Sequence, residues 1–399
     1  MNSSQNTPKI VFVTTGYPTH YRPHECVFIH RSIKELSNHI QAQVIHLRSM
    51  RPGRPLVEKR VWEGINVLSI SCPQLPLGSY SHFNTQLMEL FAGPLVRKVL
   101  RSADLINGAE AYPAGYVCGK WALRENRPFT FNVIGSDLNL FLKRNNSRLG
   151  NQWLTNLKGV VCNSEALKND LKQLMGEISN MRTIYRGIDT DVFSSEGEKA
   201  GPQASLQPVR FLYLGGFHTW DPNEGTYNLK GGHTLLEAWS MVENQYPSIS
   251  LAIGGPGNYE EQLIQWRAKL NNPQNLFCIN TIKPTDVANY IRASDVVIIP
   301  SLFEGLPNIA KEAQACGRPV LGTNIGGIPE VVENGKTGLI IPPDNPGALA
   351  AGIKWFYDNQ GQIALLGKNG RRKMQEFFTW EQYRNNILQF FKSAVSKNT

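Results

Sequence analysis

Residues 295–329 read DVVIIPSLFEGLPNIAKEAQACGRPVLGTNIGGIP and give the strongest local structural signals of the chain. The run Val296–Ile299 is short, apolar and β-branched, which is typical of a strand buried on both faces of a parallel sheet. Helical spacing follows, with Pro307 suited to the first helical position and Asn308 a further candidate for the N-cap. A second buried strand is predicted at 319–321. This strand, helix, strand unit predicts a functional edge at the carboxyl ends of the strands.

Two glutamates flank the start of the predicted helix. Glu304 lies on the loop before it, and Glu312 falls in its first or second turn. A helix N-terminus favours a phosphate, and carboxylates beside it can accept hydrogen bonds from sugar hydroxyls. A nucleotide sugar offers both groups, although two glutamates at this spacing are a weak signal by themselves.

The whole string is a specific signal, because it resembles the Glu-x7-Glu signature of glycosyltransferase family 4. The matching positions are Asp295, Glu304, Gly305, Pro307, Glu312, Gly317, Pro319, Val320, Gly326, Gly327, Pro329 and Glu330. The resemblance implies an α/β protein of the GT-B fold, with two Rossmann-like domains, parallel sheets facing a central cleft, and a C-terminal helix that crosses back to the first domain. It also implies an enzyme that transfers a sugar from a nucleotide donor to a hydroxyl acceptor with retention of configuration.

Length and composition agree with a two-domain protein. A chain of 399 residues exceeds one typical core. No run approaches the roughly 18 apolar residues of a membrane span, and the first ten residues lack a signal-peptide pattern. We therefore expect a cytoplasmic protein, and a peripheral position at the inner face of a membrane is the alternative location. The six scattered cysteines, without a Cys-x-x-Cys motif, indicate reduced packing residues.

Positive charge is concentrated in the first half of the chain. Residues 1–200 carry 24 basic and 16 acidic side chains, and residues 201–399 carry 17 and 16. This asymmetry favours a polyanionic or membrane-surface partner for the first half, but a solvated basic surface explains it equally well. The basic segment 48–60 and the amphipathic segment 86–101 are candidates for that contact, and a core-facing helix is the alternative for the second.

The domain limits follow from composition and from family segments. An N-terminal, acceptor-side domain is predicted at 1–190, joined by a C-terminal helix within 380–399. The small and polar run 191–208 has the composition of a linker. The nucleotide-sugar-binding domain is predicted at 209–379.

In the first domain, a predicted strand runs into Gly16, at the edge where open α/β sheets bind ligands. The loop that follows resembles a family loop that faces the cleft, with Cys26 in the place of a glycine, and a helix is predicted after it at Ile29–Leu36. The resemblance implies a donor contact for Gly16 and acceptor-side contacts for Arg22 and His24. An ordinary exposed loop histidine is the alternative for His24.

Two positions depart from the family pattern. Ile134 replaces a histidine that faces the donor sugar, and Gly216 replaces an arginine that holds the donor phosphates. Asp137 is retained and implied to be catalytic, and Lys230 is retained and implied to bind the donor phosphates. The candidates to supply the missing positive charge are Arg186, His218 and the insertion 217–229.

The resemblance implies further donor contacts. A strand is predicted at Phe277–Ile282. Main-chain groups near Thr281 and Ile282 would contact the nucleotide base, and Glu312 would bind the ribose hydroxyls. Glu304 would be catalytic, supporting positive charge at the anomeric carbon. The remaining implied donor contacts are Gly305, Leu306, Pro307 and Asn308.

No cofactor is expected beyond the nucleotide sugar itself, linked to UDP or GDP, and no metal. Asp189-Thr190-Asp191 spells the metal-binding Asp-x-Asp of another glycosyltransferase fold, but it lies in the inter-domain segment, where we expect Asp189 to be a turn residue. The expected acceptor is a glycan or a lipid-linked hydroxyl in polysaccharide biosynthesis. No nucleic-acid partner is expected.

Two alternative functions remain. A non-catalytic nucleotide-sugar-binding homologue is suggested by Ile134 and Gly216. A nucleotide-sugar 2-epimerase is disfavoured, because its loop reads like DSGGxQEE, whereas this chain has SLFEGLPNIAKE at 301–312.

Overall fold

The computed structural model describes residues 7–78, 80–202, 209–216, 229–255 and 260–395. The chain divides into two compact units, Met1–Arg186 with Glu381–Thr399, and Gly187–Trp380. Each unit has its own hydrophobic core. Across the described residues, no helix has both the length and the apolar character that a membrane span needs.

The described part of the first unit contains an eight-stranded sheet in the order β3-β4-β2-β1-β5-β6-β7-β8. The strands are β1 (Lys9–Thr14), β2 (Gln41–Ser49), β3 (Val57–Trp62), β4 (Ile65–Cys72), β5 (Leu105–Gly108), β6 (Phe129–Val133), β7 (Leu157–Cys162) and β8 (Met181–Thr183). Neighbouring strands are parallel except for the antiparallel pair β3 and β4. The helices before residue 186 are α1 (Val27–Lys34), α2 (His82–Arg101), α3 (Tyr116–Glu125), α4 (Lys143–Leu149) and α5 (Glu165–Met175).

The second unit contains a parallel sheet whose described strands run in the order β11-β10-β9-β12-β13-β14. These strands are β9 (Val209–Tyr213), β10 (Ile249–Gly254), β11 (Leu276–Asn280), β12 (Val296–Ile299), β13 (Val320–Thr323) and β14 (Gly338–Ile341). The helices are α6 (Gly232–Val242), α7 (Glu260–Arg267), α8 (Val287–Ala293), α9 (Asn308–Ala315), α10 (Ile328–Val331), α11 (Pro346–Asp358) and α12 (Gln360–Phe377).

Each sheet has a point where successive connections leave in opposite directions. In the first unit this point lies between β1 and β5, and in the second between β9 and β12. In the second unit, Arg210 in β9 fixes the neighbouring strand, since its guanidinium donates to both carboxylate oxygens of Asp295 at 2.8 Å. Open α/β sheets bind ligands beyond the carboxyl ends of the strands at such points. The two-sheet α/β architecture predicted from the sequence is confirmed.

The last helix, α13 (Trp380–Val395), packs almost entirely on the first unit. Phe391 lies against Phe12 of β1, with the ring centroids 6.0 Å apart. Asn180 donates to the Ser393 hydroxyl at 3.3 Å. The C-terminal helix therefore returns to the N-terminal unit, as the sequence predicted.

We expect Phe391→Leu to destabilise the first unit by about 1–2 kcal/mol, because the substitution removes a buried aromatic pair and part of a buried ring. Scanning calorimetry of the full chain measures this as a lower transition temperature for that unit. The matched control is Phe377→Leu in α12, whose side chain is 60% exposed, and we expect it to change stability by less than about 0.5 kcal/mol. Equal effects in the two variants would contradict the packing role of α13.

Some element boundaries differ from the sequence predictions. The first helix was predicted from Ile29, but it begins at Val27 because Cys26 takes a left-handed conformation (φ +46°) that starts the helix there. The strand predicted to reach Ile282 ends at Asn280, which is also left-handed, with φ +50°. A left-handed residue lies outside regular helix and strand geometry, so each of these two residues marks the limit of an element, and neither is the glycine that usually indicates such a limit in sequence.

The described part of the predicted linker, residues 191–202, packs on the second unit. The side chain of Arg292 in α8 is buried and donates to the backbone carbonyls of Val192, Ser194 and Glu198. The remaining predicted linker residues, 203–208, lie outside the described residues. Arg371 also donates to the Phe193 carbonyl at 3.3 Å, and the Ala200 N–H donates to the Asn289 carbonyl at 3.1 Å, so the described part of this segment is fixed at several points.

All six cysteines are free thiols. Cys72, Cys118, Cys162 and Cys316 are buried, and Cys26 is partly buried, as expected for packing residues. The prediction is wrong for Cys278, which is exposed and has its Sγ 3.0 Å from Asn280 Oδ1. Cys278 lies on the edge strand β11, where alternate side chains point away from the core.

Candidate active site

An ion pair joins the loops that follow β9 and β12. The Lys230 Nζ lies 2.6 Å from Glu304 Oε1. Gly231, with φ +72°, makes this approach possible, because a Cβ there would lie only 1.8 Å from the Pro300 carbonyl oxygen. The two loops therefore meet at the carboxyl edge of the sheet, at the point where its connections diverge.

Glu304 is held firmly and is largely shielded from solvent. Its side chain is 10% exposed, whereas that of Lys230 is 43% exposed. The Ser301 hydroxyl donates to Glu304 Oε1 at 2.9 Å. The backbone is fixed by the glycine turn, because Gly326 has φ +51° and a Cβ there would lie 2.0 Å from the Glu304 carbonyl oxygen. The carboxylate is thus oriented, while the ammonium group can turn toward a ligand.

The helix α9 begins directly after this loop. Its N-cap is Pro307 rather than Asn308, because Pro307 has extended backbone and Asn308 is the first helical residue. Among the residues that the structure describes, the N-cap Pro307 makes no side-chain capping hydrogen bond. An uncapped N-terminus presents backbone N–H groups and the positive end of the helix dipole, which favours an anion. Glu312, half-buried, lies in the second turn, as predicted.

The other predicted donor contacts of this unit lie around the same edge. Gly305, Leu306 and Pro307 are buried in the loop between Glu304 and α9. Thr281 is exposed and Ile282 half-buried, directly after β11. Since β11 is two strands from β9, these residues lie further along the carboxyl edge than the ion pair. Their roles stay predictions.

Gly216 lies at the end of β9 with φ +64°, a conformation that an arginine would adopt only with strain. The Tyr213 hydroxyl lies 2.8 Å from the Gly216 carbonyl and 3.2 Å from the Lys230 carbonyl, so it ties this turn to the Lys230 loop. Of the candidates for the missing charge, Arg186 is buried in the first unit with its guanidinium 4.9 Å from the centre of the Phe28 ring. His218 and residues 217–228 lie outside the described residues.

In the first unit, the structure reveals a buried carboxylate that sequence reasoning missed. Glu110 follows β5 and accepts hydrogen bonds from Thr15 N at 2.7 Å, Thr15 Oγ1 at 2.8 Å and Thr14 Oγ1 at 2.9 Å. Burial raises the pKa of Glu110 to about 7, although the threonine donors oppose this rise. A charged residue after a strand at the centre of the sheet was the signal available in the sequence.

Gly16 lies beside this group, at the end of β1. A Cβ at Gly16 would lie 2.4 Å from the Cys26 Sγ, so the turn packs directly on the start of α1. Thr14 Oγ1 also donates to the Gly16 carbonyl at 2.9 Å. The structure thus places Gly16 at the divergence point of the first sheet, and its donor contact stays a prediction.

Asp137 is buried and fully engaged with the backbone. Its carboxylate accepts from Ala111 N at 2.7 Å, Gly135 N at 2.6 Å and Ile134 N at 3.1 Å. Burial raises the pKa of Asp137, and these N–H donors offset part of the rise. Because the side chain is only 3% exposed, the geometry favours a positioning role, in which Asp137 holds the loops after β5 and β6 together.

The two predicted acceptor-side residues differ in surroundings. Arg22 is exposed and lines a cavity at the carboxyl edge of the first sheet, 3.5 Å from the Glu25 carboxylate. His24 is exposed on the turn before α1. The structure therefore places Arg22, rather than His24, in a concave surface.

The Asp-x-Asp triplet forms a turn. The Asp189 Oδ1 accepts from Asp191 N at 3.1 Å and Val192 N at 3.2 Å, as expected for a turn residue. Within the described ranges, no group of three or more His, Cys, Asp or Glu side chains is placed to hold a metal ion.

The raised pKa of Glu110 predicts a pH dependence of stability. Its folded-state pKa, about 7, exceeds the ordinary 4.5, so the folded state keeps the proton longer than the unfolded chain. The stabilising contribution is therefore complete below pH 4.5 and is lost as pH rises through 7, with a slope of at most about 1.4 kcal/mol per pH unit. We expect Glu110→Gln to flatten the pH dependence of unfolding in this window.

Urea denaturation from pH 5 to 8 measures this difference between variant and wild type. Asp137, Arg186, Cys26, Cys118 and Tyr80 interact electrostatically with Glu110 and are kept in both proteins, so the difference between the two curves reports Glu110 together with its effect on these neighbours. Parallel stability curves for the two proteins would contradict the prediction.

Two family models match most of the chain. The model described as Glycosyltransferase Family 4 matches residues 16–192, and the one described as Glycosyl transferases group 1 matches residues 226–373. An uncharacterized glycosyltransferase of Methanocaldococcus jannaschii is 27% identical over 284 residues, which cover 70% of this chain and 72% of that protein. Several other curated relatives are matched over about half of their length.

Solved structures share the fold. Sucrose-phosphate synthase of Thermosynechococcus elongatus superposes with a TM-score of 0.73 at 19% identity, covering 98% of this chain and 100% of that one. The HepE protein of Anabaena, solved in complex with UDP, superposes with a TM-score of 0.72 at 18% identity, covering 96% and 100%. With the Glu-x7-Glu segment, the two family models and this shared GT-B fold in agreement, the chain belongs to glycosyltransferase family 4.

Proposed function

We propose that this glycosyltransferase transfers a sugar from a UDP- or GDP-linked donor to a hydroxyl acceptor with retention of configuration. The observation that carries the proposal is the Lys230–Glu304 pair, 2.6 Å apart, at the divergence point of the second sheet and directly before an uncapped helix N-terminus. An ammonium group and free backbone N–H groups suit a diphosphate. The adjacent carboxylate suits a centre that develops positive charge.

The pair implies an order of events. Lys230 is the more exposed partner, so a donor diphosphate can draw its ammonium group away from Glu304. Glu304 keeps its hydrogen bond from Ser301 and would then face the sugar as an unpaired carboxylate. Departure of the diphosphate leaves negative charge, which Lys230 and the start of α9 would stabilise, while Glu304 would stabilise the oxocarbenium-like sugar.

Nucleotide binding is the first test of this proposal. The UDP complex of the Anabaena structure supports a nucleotide ligand for the shared fold. Thermal melting with UDP, GDP and their sugar conjugates should raise the transition of the second unit, by about 2.7 kcal/mol of stability at a hundredfold excess over Kd. Failure of every nucleotide to stabilise the wild-type chain would contradict the proposed donor.

Stereochemistry is the second test. NMR of the first product formed from an α-linked donor should show an α-linkage, since the proposed transfer retains configuration. A β-linked first product would exclude the retaining mechanism while leaving the family assignment intact.

We expect the transfer to be independent of divalent metal, because Lys230 and the α9 N-terminus are available to neutralise the diphosphate. Turnover should persist in excess chelator, and Asp191→Asn should keep most of it, since it is the Asp189 carboxylate that makes the turn contacts. Loss of turnover in chelator, with recovery on adding manganese or magnesium, would show that the positive groups named here are insufficient.

The acceptor is proposed to be a glycan or a lipid-linked hydroxyl in polysaccharide biosynthesis, reached by peripheral contact of the first unit with an anionic membrane. On α2, Phe83, Leu90 and Leu95 are exposed, but two of its basic residues, Arg97 and Arg101, are already paired with Glu125. The basic segment 48–60 is therefore the better candidate for that contact. Flotation with anionic vesicles at low and high salt tests it, since such attachment weakens as salt rises.

A non-catalytic nucleotide-sugar-binding protein is the second candidate function, favoured by Gly216, whose left-handed backbone disfavours the family's arginine. Nucleotide binding without turnover on any acceptor would support it. Measurable sugar transfer would exclude it.

A further inference from the structure

A cavity of about 190 Å³ lies at the carboxyl edge of the first sheet. Thr15 after β1, Arg48 and Ser49 at the end of β2, and Gln74 after β4 contribute to its walls. Sites that enclose whole drug-sized ligands usually measure about 300–1,000 Å³. This cavity suits a single substituent of a larger ligand.

The cavity is strongly cationic. Four arginines line it, Arg22, Arg48, Arg51 and Arg54, and among its lining residues Glu25 is the one carboxylate. Surfaces with this excess of one charge attract ligands of the opposite charge.

Two of the four arginines are already paired. Arg22 lies 3.5 Å from Glu25. Arg48 lies 2.7 Å from Glu58, and its side chain is 9% exposed. These two side chains form walls of the cavity with their charge largely compensated.

The other two arginines are uncompensated. No carboxylate of the described residues pairs with Arg51 or Arg54, which lie on the turn between β2 and β3. Neither guanidinium takes part in a described hydrogen bond, although the Arg54 backbone N–H donates to the Arg51 carbonyl at 3.1 Å. The cavity therefore holds about two unneutralised positive charges.

The positive charge of the cavity also affects the pKa of a histidine in its wall. Burial, with smaller contributions from the charges of Arg60, Arg48 and Arg54, lowers the pKa of His46 to about 3. His46 is therefore neutral at physiological pH and adds no charge of its own. The positive charges that act on His46 would also act on an anion bound in the cavity.

Neutral donors complete the wall. Thr15, Thr19, Tyr21 and Tyr80 bring hydroxyl groups to the cavity. The Thr15 hydroxyl donates its one proton to Glu110 Oε1 at 2.8 Å, so it is not a donor to a ligand in the cavity. Guanidinium groups bind phosphate oxygens in pairs, and hydroxyls fill the remaining acceptor positions.

We propose that this arginine cavity, defined by Arg22, Arg48, Arg51 and Arg54, binds a phosphate group carried by the acceptor. The inference rests on the proposed function, because it makes the acceptor of the transfer a phosphorylated molecule. A phosphate monoester carries a charge of about −1.5 to −2 at pH 7, which matches the two uncompensated arginines. The group is either on a soluble sugar or in a lipid headgroup.

The test uses the full chain in saturating UDP, so that the donor's phosphate site is occupied. Calorimetric titration with inorganic phosphate, glucose 6-phosphate and glucose compares wild type with the double variant Arg51→Gln/Arg54→Gln. We expect the double variant to weaken binding of both phosphates at least tenfold, because it removes both uncompensated positive charges and their charge-assisted hydrogen bonds to the phosphate. Glucose should bind more weakly than glucose 6-phosphate to the wild type.

The control variant is Arg148→Gln, which removes one positive charge from an exposed position of α4 outside the cavity. It should keep wild-type phosphate affinity. Since the side chains of Arg51 and Arg54 take part in no described hydrogen bond or ion pair, the double variant should also keep the wild-type melting temperature. Arg51→Lys/Arg54→Lys should recover part of the affinity, because it restores the charge without the paired geometry.

Vesicles containing an anionic phospholipid identify the source of the phosphate. If the double variant loses binding to soluble phosphate, the acceptor is a soluble phosphorylated molecule. If it loses binding to vesicles alone, the acceptor is lipid-linked. The proposal is overturned if the double variant binds soluble phosphate and vesicles as tightly as the wild type does. It is also overturned if the wild type binds neither soluble phosphate nor vesicles. If UDP fails to stabilise the chain, that result contradicts the proposed nucleotide donor and leaves the phosphate-binding role of the cavity to be judged from the phosphate titrations.

Discussion

Replacing Glu304 by glutamine is expected to lower kcat by roughly a hundredfold or more, because the variant loses the negative charge that supports the transition state. The glutamine oxygen can still accept from Ser301 and from Lys230, so the loop should keep its structure. Steady-state kinetics with a nucleotide sugar measures kcat and KM. An unchanged kcat would contradict the catalytic assignment of Glu304.

Glu312→Gln is the matched control, since it makes the same chemical change eight residues later in α9. Glu312 lies in the second helical turn, where it is proposed to bind the ribose. A contact made equally in ground state and transition state changes KM more than kcat. We therefore expect weaker donor binding and a kcat close to wild type, so the two variants separate chemistry from binding.

The second large effect is expected from Asp137→Ala, which should destabilise the first unit by roughly 3 kcal/mol or more. The substitution leaves the N–H groups of Ala111, Ile134 and Gly135 without their acceptor in a buried position. Each buried unsatisfied donor costs about 1–3 kcal/mol. Scanning calorimetry shows the loss as a lower transition temperature for this unit, and the second unit's transition is identified by its response to UDP.

Asp104→Ala is the control for this effect. Asp104 is exposed and accepts from the Lys9 backbone N–H at 2.8 Å, so its loss should cost no more than about 1 kcal/mol. If Asp137→Ala abolishes turnover while leaving the transition temperature unchanged, Asp137 acts directly on the substrate and the positioning role is wrong.

Local elements were predictable where the sequence marks both of their ends. The strand at 296–299 was predicted with the limits it has, because Asp295 and Pro300 bound a continuous β-branched run. The C-terminal helix within 380–399 was predicted through the family resemblance instead, and it is observed at Trp380–Val395. The start of α1 was not, because Cys26 adopts a conformation that sequence reasoning assigns to glycine.

The candidate site was predictable only in its residue types. Glu304, Glu312 and Lys230 stood out through their resemblance to a family pattern, whereas Glu110 did not, since nothing near it in sequence identifies Thr14 and Thr15 as its partners. The two segments lie about a hundred positions apart and meet because β1 and β5 are neighbours in the sheet.

The sequence by itself determined the class of the protein, the order of its strands and helices along the chain, and the family to which it belongs, because hydrophobic periodicity, turn residues and the Glu-x7-Glu segment are local properties. Only the tertiary structure decided that Lys230 meets Glu304, that Asp137 is buried among backbone N–H groups, and that Arg51 and Arg54 share a cavity with Arg22. These contacts depend on the order of strands in each sheet, because that order determines which loops lie side by side at the carboxyl edge of the sheet.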